Sequence, residues 1–124
     1  MRFRRLLALG MTVAVFAFVG PGWLDAHKLS VFAWVKDRKV VVEGKLGGGK
    51  RPKKGTVSVY NGKDQKLLEM QIQEDGTVSF PLPEDHHSGL KVVLDIGEGH
   101  SSYWILTPYD IEQQLSNAGG PATK

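Results

Sequence analysis

The sequence predicts an all-β fold, a seven-stranded antiparallel sandwich with one short C-terminal helix. Two observations carry the strands and a third the helix. Apolar residues recur at every second position through most of the chain, which is the period of strands with one buried face. Six turn-rich segments, "KDR", "GGGKRPKKG", "NGKDQK", "EDG", "PEDHHSG" and "GEG", divide that pattern into seven runs, because Gly and Asn accept positive φ and Pro fixes it. Helix signals replace the alternation only near the end, at residues 108–117.

Taken in order, the chain starts with Arg2, Arg4 and Arg5, followed by an uncharged apolar run of 15 residues at 6–20 and the segment Leu24-Asp25-Ala26. Basic, apolar and small-residue regions in that order read as a secretory signal peptide. The apolar run is shorter than the roughly 20 residues of a membrane span. Cleavage after Ala26 would make His27 the first residue of an exported chain, and an uncleaved N-terminal membrane anchor is the alternative. Removal of Arg2, Arg4, Arg5 and Asp25 would leave 13 basic against 12 acidic residues, so no nucleic-acid footprint is expected.

The first strand alternates Leu29, Val31, Ala33 and Val35 with Lys28, Ser30, Phe32 and Trp34. Val57 and Val59 do so in "TVSVY", Leu68, Met70 and Ile72 in "LLEMQIQ", and Val78, Phe80 and Leu82 in "TVSFPLP". Leu90, Val92, Leu94 and Ile96 do so in "LKVVLDI". Short strands at this spacing form an antiparallel sandwich. At the helix, Thr107 is the cap, Pro108 suits the first turn, and Gly119 lies just past the end. The expected organisation is a signal peptide at 1–26, a sandwich domain at 27–107, and a short helix with a flexible tail at 108–124, a single domain in 124 residues.

Chemistry is narrowed by what is missing. There is no cysteine, so neither a disulfide nor a thiolate ligand or nucleophile exists. No serine sits in a Gly-x-Ser-x-Gly turn. The basic run Lys50, Arg51, Lys53 and Lys54 lacks the Gly-Lys-Ser/Thr ending of a phosphate loop; it reads as a solvated hairpin loop, with contact to an anionic membrane surface as the alternative. Trp34, Trp104 and Phe32 read as sheet-covering aromatics, with a sugar-binding face as the alternative. No enzyme activity is expected.

Two signals favour a metal ion. Once exposed by cleavage, His27 offers an α-amine and an imidazole on one short tether, donors that suit Zn, Cu, Fe and Ni. Glu98 and His100 stand two apart, so in an extended segment their side chains share one side, with Gly97 and Gly99 leaving room beside them. His86 and His87 are neighbours, which in an extended chain point to opposite sides; they are read as part of a solvated loop.

Residues 55–83, "GTVSVYNGKDQKLLEMQIQEDGTVSFPLP", resemble the carboxypeptidase-regulatory-like, or prealbumin-like, family of Ig-like seven-stranded sandwiches. In such folds the first strand often pairs in parallel with the last, which by analogy would bring His27 and His100 to one edge. "AHKLSVFAWV", "VEGKLGGGK", "PLP" and "LKVVLDIGEGH" together resemble the periplasmic accessory proteins of nickel and cobalt uptake transporters of the energy-coupling-factor type. That resemblance implies metal capture or delivery in the periplasm beside an integral-membrane metal permease, with nickel or cobalt as cargo and His27, His100 and Glu98 as ligands. Members often carry a C-terminal membrane segment, which "SNAGGPATK" cannot supply. Copper is the alternative metal, since it binds nitrogen sites more tightly than nickel or cobalt. The alternative function is a metal-free binding or structural module for a protein or glycan partner.

Overall fold

The computed structural model describes residues 28–117; His27, the segment before it and the tail after Asn117 lie outside the described residues. Seven strands form two antiparallel sheets and one helix follows them, the all-β sandwich that the alternation predicts. β1 (Ser30–Lys36), β2 (Lys39–Lys45) and β5 (Thr77–Pro81) make one sheet in the order β1-β2-β5. β3 (Thr56–Asn61), β4 (Lys66–Gln71), β6 (Leu90–Gly97) and β7 (His100–Leu106) make the other in the order β4-β3-β6-β7. A single 3-10 turn at Gly47–Gly49 lies between β2 and β3.

The alternation sets the register. Val31, Ala33 and Val35 of β1 and Val40 and Val42 of β2 face inward and are buried. They meet Val57 and Val59 of β3, Leu90, Val92 and Leu94 of β6, and Leu106 of β7, which are also buried. Burying a Val or Leu side chain contributes about 1.5–3 kcal/mol each. A register slip of one residue would turn the whole apolar row to solvent.

Two hairpins are closed by two left-handed residues each. Asp37 (φ 55°) and Arg38 (φ 62°) join Lys36 to its partner Lys39. Glu98 (φ 57°) and Gly99 (φ 81°) join Gly97 to His100. Positive φ at both central residues matches the right-handed twist of the strands they connect. The turn before β5 is held differently: Thr77 donates its hydroxyl to Asp75 Oδ1 at 2.7 Å and its backbone N–H at 3.0 Å, and these donors hold the Asp75 carboxyl below its ordinary pKa.

The helix α1 (Pro108–Ser116) forms where the cap residues predict. Thr107 Oγ1 accepts from the N–H of Asp110 at 3.0 Å, and Asp110 Oδ2 accepts from the N–H of Thr107 at 3.2 Å, a reciprocal capping box. One side of the helix is anchored. Ile111 enters the core, 1% exposed, and Gln114 Oε1 accepts from the N–H of Val35 at 2.7 Å. That bond satisfies a donor on the outer edge of β1, where a strand would otherwise offer itself to another chain. Among the described residues, no helix is long and apolar enough to cross a membrane.

Candidate functional site

The first and last strands do not pair as the analogy anticipated. β1 bonds β2, β7 bonds β6, and no ladder joins β1 to β7 among the described residues. The two strands are edges of different sheets, brought side by side where the sandwich closes. The aromatic rings of Phe32 and Trp104 bridge them at 5.5 Å between centroids, tilted by 49°. Lys45 Nζ stands 5.7 Å from the centre of the Phe32 ring.

Their directions follow from the registers. Val31 is opposite Gly44 in one sheet and Leu94 is opposite Ser102 in the other. A side chain at Gly44 would come within 2.6 Å of Leu94 Cδ2, so the two sheets touch at this level. The beginning of β1 and the beginning of β7 therefore share one end of the sandwich. Here the chain enters at Lys28, whose side chain passes so close to Gly47 that a Cβ there would lie 3.1 Å from it.

At that end stands the hairpin Asp95–His100. Its chemistry differs from the extended segment that the sequence spacing suggests. Glu98 occupies the left-handed first position of the turn, so the rule that residues two apart share a side does not apply to Glu98 and His100. Glu98 is exposed and His100 is half-buried at the first position of β7. Asp95 Oδ1 accepts from the N–H of Gly97 at 2.8 Å and so stiffens the turn. Among the described residues, no group of three or more His, Asp and Glu side chains is arranged to hold a metal ion. His27, which would supply the other donors, lies outside the described residues.

His86 and His87 are also placed otherwise than an extended chain would place them. Their rings lie on the same side and stack, 4.3 Å between centroids and 19° between planes. His86 Nδ1 is 2.6 Å from the carbonyl oxygen of Pro83, and the loop closes through the N–H of Gly89 donating to the His86 carbonyl at 2.9 Å. Sequence reasoning missed this pairing because the loop's turns, and not the strand period, set the side-chain directions.

Beneath that loop lies a network that the sequence signalled only as a turn. Asn61 is buried, 3% exposed. Its amide donates to Gln65 Oε1 at 2.8 Å and to Asp85 Oδ2 at 3.0 Å. Its Oδ1 accepts from the N–H groups of Lys63 and Gln65 at 2.8 and 3.0 Å. Next to it, a shallow cleft of about 180 Å³ is bounded by Asp64, Ser88, Lys91, Ile105 and Pro108, small for a site that would enclose an organic ligand.

The architecture thus defines the class, an all-β sandwich with edge strands meeting at one side. Comparison with family models, curated proteins and solved structures gives no match to this chain.

Proposed function

We propose that the chain is an exported, non-enzymatic domain that binds a transition metal for nickel or cobalt uptake and hands it to an integral-membrane permease. The α-amine and imidazole of His27 and the imidazole of His100 bind the ion. Glu98 adds a carboxylate or orients a bound ligand. The observation that supports this most is the placement of the chain's entry. Phe32 lies beside Trp104 and the beginnings of β1 and β7 share one end of the sandwich, so the chain leads into β1 at the end that carries the GEGH hairpin. A nitrogen-rich set of this kind suits nickel, cobalt and copper alike; the resemblance to uptake accessory proteins selects the first two.

The test is a nickel titration of protein beginning at His27 against protein with one residue added in front. The proposal expects the added residue to weaken binding by at least about tenfold, as loss of one ligand should when outer-shell changes alone cost 10–100-fold. Equal affinity would remove the amine from the site. Because the nitrogen ligands must be deprotonated, affinity should also decline as pH falls below about 7.

One observation favours a second reading, a metal-free module that presents a surface to a partner. Tyr103, Ile105 and Tyr109 are exposed, at 60%, 46% and 70%, with Tyr103 and Ile105 on the face of β7 opposite to Trp104. On that reading substitutions at His27 and His100 change nothing, whereas Tyr103→Ser weakens partner binding.

A further inference from the structure

We infer that His86 and His87 form a separate site for a borderline divalent transition-metal ion, independent of the reading above. The two histidine sites sit beyond opposite ends of β6, eight residues long, or roughly 26 Å at about 3.3 Å per residue. They cannot share one ion.

The argument begins with a proton. A carbonyl oxygen only accepts, so the 2.6 Å contact with Pro83 O requires that His86 Nδ1 donate. In the neutral ring this leaves the lone pair on Nε2. Ligand histidines are usually fixed in this way, with one ring nitrogen held by a carbonyl or carboxylate so that the other faces the metal in a defined tautomer. The second donor is already adjacent, because the His87 ring stacks 4.3 Å away on the same side.

The loop is held in place for this role. Asp85 Oδ2 accepts from the buried Asn61 amide at 3.0 Å. Ser88 Oγ accepts from the N–H of Gly62 at 3.0 Å, and the Gly89-to-His86 bond closes the turn between them. Glu84 and Asp85, both exposed, add negative charge that draws a cation toward the loop. In the stacked arrangement the two ring planes are nearly parallel, so one ion meets both lone pairs only after a ring turns. His87 is exposed, and rotation of a histidine ring about χ2 is soft. Water completes the coordination shell, so the site is open and labile, with copper bound more tightly than nickel or zinc.

The experiment is a zinc titration of the full-length ¹⁵N-labelled chain, followed through the histidine ring nitrogens. His86 Nε2 and one nitrogen of His87 should shift together with a single midpoint. His86→Gln and His87→Gln should each weaken that event by at least about tenfold, and His100→Gln should leave it unchanged. Both substitutions fall in a surface loop, and an unchanged far-UV spectrum checks that the fold is retained. Separate midpoints for His86 and His87, or zinc shifts confined to other histidines, would overturn the inference without touching the nickel proposal. Equal nickel affinity with and without an added N-terminal residue would do the reverse.

Discussion

Asn61 shows what one polar side chain contributes when all its hydrogen-bonding positions are used. Its amide and carbonyl make four bonds while the residue is buried, tying the turn after β3 to the loop that carries His86. Asn61→Ala would leave the N–H groups of Lys63 and Gln65 without their acceptor and release Asp85. Those groups belong to exposed residues that water can reach, so each lost bond counts only its net worth of about 0.5–1.5 kcal/mol; the expected loss is roughly 1–2 kcal/mol, read as a lower urea midpoint with unchanged slope. An "NG" dipeptide after an alternating run announces a turn. That its Asn would be buried is not local information, because burial comes from the β5–β6 loop folding over it.

At the scale of elements, the strands and the helix follow local rules and the tight turns partly do not. Gly99 is the residue type a left-handed turn position favours, but Glu98 beside it bears a Cβ at φ 57°, which costs about 1–2 kcal/mol. Glycine would relieve that strain at some cost in unfolded-state entropy. Glu98→Gly should therefore stabilise the fold by roughly 0.5–1 kcal/mol, measured by thermal or urea unfolding. If Glu98 serves the metal, the same change should weaken nickel binding. Opposite signs of the two effects would identify strain retained for function, whereas a stabilised variant with undiminished binding would confine the carboxylate to a turn position. The spacing of Glu98 and His100 was legible in the sequence, but the side each would face was not. That depends on whether the chain continues extended or turns back at Gly97.

On the scale of the whole molecule, the helix decides how the sandwich closes. β1 and β7 are edges of different sheets, and the residues that join them at this side are Phe32 and Trp104 in the strands and Ile111 and Gln114 in the helix. Removing the buried side chain in Ile111→Ala should cost about 2–5 kcal/mol, observed as a drop in unfolding free energy. Weakened protection of the Val35 amide from hydrogen exchange should accompany it, since the Gln114 bond to that amide depends on a docked helix.

The sequence by itself determined the count of strands, the inward rows of β1, β3, β4, β5 and β6, and the capped helix, because a period of two and a Thr cap before Pro act over a few residues. The tertiary structure alone decided that β1 shares a sheet with β5 and not with β7, that the His86 and His87 rings stack, and that Asn61 is buried. Each of these depends on which distant segments come to lie against one another, and that is settled by packing two apolar faces together and not by the local preferences of either.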